Sequence, residues 1–181
     1  MEQRFDAMKA SPAAYKAMAG LQAHVEQSGL ERRLLELVKI RTSQINGCAY
    51  CLVMHTNDAR KQGETDDRMH LLNAWREAPV FSERERAALA WAEAITWDLP
   101  ADDKLWARLH AHYSEPELVE IGYFIALTMG QQRWLRTLDI EHHQILAGTD
   151  ASMAPGFETE QALKRSKSDP AYWAGKPEAA E

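Results

Sequence analysis

Two cysteines and a histidine lie close together in the segment Gln44 to His55, QINGCAYCLVMH. Cys48 and Cys51 are separated by two residues, and His55 follows Cys51 by four. Such a pair can cycle between dithiol and disulfide, supply two ligands to a metal, or consist of two small core residues. A histidine near a thiol can act as the base that generates a thiolate. The segment therefore predicts redox chemistry, metal binding or packing.

Helical spacing places these three side chains together. On a helix over residues 48 to 62, Cys48, Cys51 and His55 fall within one buried sector of roughly 100°. An Asn-Gly turn precedes Cys48, so Cys48 lies near a helix N-terminus, where free N–H groups favour a thiolate. His55 is an i,i+4 neighbour of Cys51 and acts mainly on that thiol. These residues alone leave open which sulfur attacks first.

The metal alternative is limited by the number of ligands. Structural zinc needs four ligands, and catalytic zinc needs three with an open position. Cys48, Cys51 and His55 supply three, and the remaining histidines are scattered without ligand spacing. We therefore predict no metal and no other cofactor. The alternative from a different class is a non-catalytic helical oligomer whose Cys/His cluster binds a metal or a partner, or fills the core.

Composition and charge narrow the functional class. The chain has 181 residues, enough for one domain, and its 45% hydrophobic and 27% charged residues are typical of globular proteins. A net charge of −6 and the lack of a basic stripe argue against a nucleic-acid partner. The sequence shows no signal-peptide pattern and no run of about 18 apolar residues that would span a bilayer. A cytoplasmic location without a membrane partner is predicted.

Helix start and stop signals predict an all-α fold. The predicted helices span 12 to 28, Leu30 to Ile45, Cys48 to Gln62, Thr65 to Arg76, Ser82 to Trp97, Asp102 to His112 and Glu115 to Leu138. Ser-X-X-Glu capping boxes at Ser82 and Ser114 open two of them. We predict one compact bundle of about six to seven helices over residues 1–147. A polar, partly disordered C-terminal tail is predicted over residues 148–181.

The segment Leu30 to Gly63, LERRLLELVKIRTSQINGCAYCLVMHTNDARKQG, resembles the core of the AhpD-like alkylhydroperoxidase and carboxymuconolactone decarboxylase family. Redox members of that family share a glutamate, eleven residues, Cys-X-X-Cys, three residues and a histidine. Glu36, Cys48, Cys51 and His55 match that pattern in full.

The resemblance implies an all-helical subunit that assembles into trimers or hexamers and reduces hydroperoxides with an external thiol reductant. It implies that Cys51 attacks the peroxide and that Cys48 resolves the resulting sulfenic acid to a disulfide. It also implies that Glu36 and His55 relay the thiol proton. The decarboxylase branch acts on lactones without a dithiol. A lactone decarboxylase activity therefore ranks below peroxide reduction.

Helical spacing and the family match give opposing predictions for the burial of Glu36. Its position opposite the strongest apolar line of its helix, with Arg32 and Lys39 at salt-bridge spacing, predicts a solvated surface glutamate. The family match instead requires burial, which would raise the pKa of the carboxyl toward that of a useful base.

Two positions depart from the family pattern. Tyr50 replaces a relay histidine found in some members; it could donate a hydrogen bond but is no base at neutral pH. The run TMGQQRWLR, residues 128–136, replaces an Asn-Ala-Trp-Asn-Arg type run. Different packing or substrate access is predicted near the end of the long helix.

Overall fold

The computed structural model describes residues 4–138, and all regular elements in that range are helical. Its eight α-helices are α1 Ala7–Ala10, α2 Pro12–Glu26, α3 Arg32–Asn46, α4 Ala49–Lys61, α5 Asp66–Leu71, α6 Glu83–Trp97, α7 Asp103–His112 and α8 Glu115–Arg136, with a 3-10 turn at Leu72–Ala74. The predicted all-α class is thus confirmed for this part of the chain. The predicted tail over 148–181 lies outside the described residues.

The structure has one helix more than the upper predicted number. Helix α1 is a single turn whose N-cap, Asp6, accepts hydrogen bonds from the backbone N–H groups of Met8 and Lys9. One turn contains too few residues to show a hydrophobic period, so the sequence does not predict this helix. No helix within residues 4–138 is long and apolar enough to cross a membrane.

Capping residues determine where the longer helices begin and end. Capping boxes open α6 at Ser82 and α8 at Ser114, as the sequence predicts. Gly47 ends α3 with a φ of 63°, a left-handed conformation that glycine adopts without a Cβ clash. Because Cys48 follows directly, this turn determines how the chain enters α4.

Helix α3 is the central element, because α4, α6 and α8 all pack against it. One apolar cluster joins α3 to α6 and α8 through Leu35, Trp91 and Phe124. These neighbouring helices cover so much of α3 that its polar side chains Glu36 and Lys39 are buried too. The fold therefore holds charged groups inside the bundle, where they need partners.

Gly130→Ala is expected to stabilise the protein. Gly130 is exposed inside α8, and a Cβ there would meet no atom within 4 Å. Since alanine loses less backbone entropy in a helix, the free energy of unfolding should rise by about 0.5–1 kcal/mol. Gly122→Ala is the contrast, because its Cβ would lie 3.2 Å from Cη2 of Trp91 and strain would offset the gain. Urea unfolding followed by circular dichroism measures both; equal gains would contradict the close α6–α8 approach.

Candidate active site

Cys48 and Cys51 are joined as a disulfide at the start of α4. Cys48 is the N-cap of this helix, and its Sγ accepts the backbone N–H of Cys51 at 3.4 Å. The two Cα atoms are 5.3 Å apart, within the range that a disulfide spans without backbone movement. Each cysteine is only 4% exposed. The helix start thus accommodates the oxidised form of the pair in a sheltered position.

His55 and Glu36 lie close to each other, one helical turn after Cys51. His55 lies on α4 one turn after Cys51, and Glu36 lies on α3. His55 Nδ1 and Glu36 Oε2 are 3.4 Å apart in the resting structure, where among the described residues neither atom has a hydrogen-bond partner, so a small movement would bring them into hydrogen-bond contact. An imidazole that donates its Nδ1–H to a carboxylate keeps Nε2 as its basic nitrogen. The contact therefore suits a histidine that acts as a base.

A buried ammonium group adjoins the same carboxylate. Lys39 is 3% exposed, and its Nζ lies 2.5 Å from Oε1 of Glu36 and 3.9 Å from Oε1 of Glu26 on α2. The same Nζ is 5.2 Å from the centroid of the Phe124 ring on α8. The prediction of a solvated Glu36 is wrong, because other helices cover this face of α3. The predicted salt-bridge spacing between Glu36 and Lys39 does give an ion pair.

The charges around Glu36 determine its protonation state. Burial alone would raise the pKa of Glu36, but the neighbouring Lys39 and His55 outweigh it and hold that pKa below its ordinary value. The expected upward shift is therefore wrong, and Glu36 is a carboxylate at neutral pH. Burial lowers the pKa of His55, the positive charge of Lys39 lowers it further, and together they outweigh the attraction of Glu36 and Asp58 for its proton. The imidazole is consequently neutral at neutral pH and able to accept a proton.

Tyr50 occupies the position of the histidine present in some relatives. Burial raises the pKa of Tyr50, so its phenol keeps its proton at neutral pH. This agrees with the prediction that Tyr50 is no base at neutral pH.

One group of side chains could supply ligands to a metal ion. Donor atoms of Glu36, His55 and Asp58 lie within 4.8 Å of one another, and all three residues are buried. Imidazole and carboxylate donors are ligands that Zn²⁺ accepts. However, the Lys39 ammonium already supplies a positive charge 2.5 Å from Glu36. The charge balance therefore favours an internal ion pair over a bound cation.

The sequence does not predict two members of this cluster, Lys39 and Asp58, as site residues. Asp58 is 1% exposed and follows His55 by one turn, so its helical spacing was an available signal. Lys39 was predicted only as a surface ion-pair partner. Together with Glu26 and Glu36, these two line a cavity of about 10 Å³, which is room for about one water molecule.

Three side chains of α8 hold the turn that precedes the disulfide. Gln132 donates to Oγ of Ser43 at 2.6 Å and accepts from Nδ2 of Asn46 at 3.0 Å. Arg133 donates to Oδ1 of Asn46 at 3.0 Å, and Arg136 donates to its backbone carbonyl. The partners in these contacts are separated by 86 to 90 positions in the sequence. The three α8 residues belong to the run 128–136, where the sequence departs from the family pattern. That run thus fixes the end of α3.

Comparison with known proteins places the chain in a family. The model of the carboxymuconolactone decarboxylase family matches residues 12–94, a range that contains all four predicted site residues. The uncharacterized protein YdfG of Bacillus subtilis is 42% identical over 128 residues, covering 69% of this chain and 86% of that protein. The chain belongs to the carboxymuconolactone decarboxylase family. The family membership predicted from the sequence is therefore confirmed.

Two further proteins are similar to this member of the carboxymuconolactone decarboxylase family. YnjA of Escherichia coli, an uncharacterized protein, is 31% identical over 116 residues, which are 64% of each chain. The crystal structure of ATU0492 from Agrobacterium tumefaciens has a TM-score of 0.73 and 38% identity, covering 78% of this chain and 98% of that one. ATU0492 is of unknown function, with a suggested antioxidant-defence role as an AhpD.

The debrominase Bmp8, solved with 2,3,4-tribromopyrrole, has a TM-score of 0.67 at 24% identity and covers 74% of this chain and 73% of that one. At this identity, the likeness concerns the fold alone. The AhpD-like helical fold is thus shared with ATU0492 and with a debrominase.

Proposed function

We propose that the protein is a thiol-dependent peroxidase that reduces hydroperoxides through a Cys48–Cys51 dithiol/disulfide couple. The observation that carries this proposal is one arrangement at the start of α4. A disulfide-forming pair lies one turn from a buried His55, whose Nδ1 is 3.4 Å from a carboxylate oxygen of Glu36. Those groups are what an activated thiol requires: a nucleophile, a base and a group that orients the base.

The first step activates and oxidises Cys51. In the reduced protein, neutral His55 takes the thiol proton, directly or through a water molecule, and the adjacent Glu36 carboxylate stabilises the imidazolium. The thiolate sulfur attacks one peroxide oxygen, so an S–O bond forms and the O–O bond breaks. The departing alkoxide takes the proton from His55 and leaves as an alcohol. Cys51 becomes a sulfenic acid, oxidised by the two electrons that reduce the peroxide.

The second step uses Cys48. Its sulfur attacks the sulfenic sulfur of Cys51, so an S–S bond forms and the S–O bond breaks, and the departing hydroxide takes up the proton that the Cys48 thiol loses and leaves as water. Cys48 suits this role because N–H groups of the first turn of α4 surround the N-cap position and favour a thiolate. An external thiol reductant then returns two electrons and two protons to the pair.

The test follows one turnover of the reduced full-length protein. We expect one equivalent of tert-butyl hydroperoxide to be consumed, one equivalent of tert-butanol to appear, and both thiols to be lost with the mass of two hydrogens. Intact mass and thiol titration measure this, and protein alkylated at both cysteines is the control. Survival of both thiols in the presence of unreacted peroxide would refute the peroxidase proposal.

The same preparation tests the non-catalytic alternative. If the Cys/His cluster bound a metal, as this alternative requires, freshly purified protein would contain stoichiometric zinc that resists peroxide. Elemental analysis before and after peroxide treatment distinguishes the two functions. A lactone decarboxylase activity ranks lower, because the intact dithiol is the feature that its branch lacks.

Self-association of the subunit is also proposed. Helix α8 carries exposed apolar side chains at Val119, Tyr123 and Trp134, each at least 50% exposed. They lie at near-helical spacing along one side of α8, and exposed apolar surface of this kind favours association. A trimer or hexamer, as implied by the family resemblance, stays a prediction.

A further inference from the structure

We propose that Lys39 is a positioning residue of the dithiol site: its buried ammonium holds the Glu36 carboxylate in the orientation that presents Oε2 to His55. The inference rests on the proposed function, because it concerns how that function's thiol is activated. It adds a lysine to a relay that the sequence pattern describes with glutamate and histidine alone.

The geometry divides the two oxygens of Glu36 between two partners. Oε1 lies 2.5 Å from Lys39 Nζ, and Oε2 lies 3.4 Å from His55 Nδ1. A carboxylate whose one oxygen pairs with a fixed ammonium cannot turn about its terminal bond without losing that contact. Lys39 therefore holds the carboxylate so that its second oxygen faces Nδ1 of the imidazole.

Lys39 is itself held by neighbouring helices. Oε1 of Glu26 on α2 lies 3.9 Å from its Nζ, and the Phe124 ring on α8 lies 5.2 Å away. Glu26 is fixed by a hydrogen bond from Nε2 of Gln22 at 3.1 Å. A lysine that is 3% exposed requires such compensation, since lysine is almost never buried without partners. The ammonium therefore has a defined position from which to direct Glu36.

The charge of Lys39 also determines what Glu36 can do. Without it, the buried carboxyl would hold a proton at higher pH and would donate a hydrogen bond to Nδ1 instead of accepting one. His55 would then carry its proton on Nε2 and could not accept the Cys51 proton. The charged and titratable groups around Glu36 are Glu26 on α2, Arg32 and Lys39 on α3, and His55 and Asp58 on α4.

The experiment measures thiolate formation without peroxide. Reduced full-length protein is alkylated with iodoacetamide across pH 5 to 10, and mass spectrometry identifies the faster cysteine. We expect Lys39→Met to react about tenfold more slowly at pH 7, with the midpoint about one pH unit higher and the rate recovered in alkali. Lys39→Arg keeps the charge and should retain most of the rate. Lys104→Met, which removes an exposed lysine, is the matched control and should leave the profile unchanged.

A double variant tests whether Lys39 acts through Glu36. Adding Lys39→Met to Glu36→Gln should shift the midpoint no further than Glu36→Gln alone. An unchanged profile for Lys39→Met, or fully additive shifts in the double variant, would overturn the proposal. If Lys39→Met fails to fold, Lys39→Gln takes its place, because it keeps a donor to Glu36 but not the charge.

The two proposals fail in different ways. If the wild type leaves peroxide intact while the Lys39→Met profile shifts, the peroxidase function is wrong and the positioning role stands. If the wild type consumes peroxide while the Lys39→Met profile matches that of the control, only the positioning role is wrong.

Discussion

Cys51→Ser should abolish peroxide reduction, with the turnover rate falling by at least about a thousandfold. Cys51 carries the sulfur that lies one helical turn before His55, and a serine hydroxyl at that position is a poor nucleophile at neutral pH. Peroxide consumption coupled to an external dithiol measures the loss. The free energy of unfolding should be compared under reducing conditions, so that the absence of the disulfide affects both proteins equally.

Cys48→Ser is the matched variant with a different expected outcome. It should react once with peroxide and then stop, because the sulfenic acid on Cys51 lacks its resolving thiol. Serine is a favoured N-cap, so α4 should keep its start. Trapping the sulfenic acid with dimedone and locating it by mass spectrometry completes the assignment. A trapped sulfenic acid in Cys51→Ser and none in Cys48→Ser would make Cys48 the attacking residue.

Local chemistry accounts for the part of the fold that the sequence predicted well. Capping boxes at Ser82 and Ser114 and the turn at Gly47 involve residues within a few positions of each other, so their partners are visible in the chain itself. The same holds for Cys51 and His55, which lie one turn apart on the single helix α4. Each of these features depends on one element alone.

The features that the sequence did not predict depend on contacts between elements. The period of α3 indicated a surface position for Glu36, because a single helix carries no information about which neighbours cover it. Phe124 of α8 and Glu26 of α2 lie against Lys39, and Lys39 together with His55 reverses the direction of the pKa shift that burial alone would give Glu36. The hydrogen bond between Gln132 and Asn46 at the end of α3 likewise joins segments that are distant in the sequence. For Glu36, only the family resemblance predicted burial by neighbouring helices.

A second buried carboxylate, Glu93 on α6, stabilises the other side of α3. Glu93 is 1% exposed, and its Oε1 accepts from Arg41 Nε at 2.8 Å and from Trp75 Nε1 at 2.9 Å. Its Oε2 forms an ion pair with Arg76. Glu93 thus joins α3, the segment after α5 and α6 through one side chain.

Glu93→Gln should lower the free energy of unfolding by about 3–5 kcal/mol. The amide keeps the shape of the side chain but leaves the buried Arg41 guanidinium without its counter-charge. Urea unfolding at pH 7 measures the loss. Glu83→Gln is the control on the same helix, because Glu83 is 68% exposed and its pairs with Arg86 and Arg108 should contribute less than about 1 kcal/mol. Equal losses in the two variants would contradict the role of burial.

The pH dependence separates the charge of Glu93 from its shape. Burial would raise its pKa, but hydrogen bonds from Arg76, Trp75 and Arg41 outweigh it and hold that pKa below the ordinary value of 4.5. A lowered pKa contributes stability that is present above pH 4.5 and is lost as the pH falls through the folded-state value. The difference between wild type and Glu93→Gln should therefore shrink in acid. A difference of the same size at pH 3 and pH 7 would show that packing, and not charge, is what Glu93 supplies.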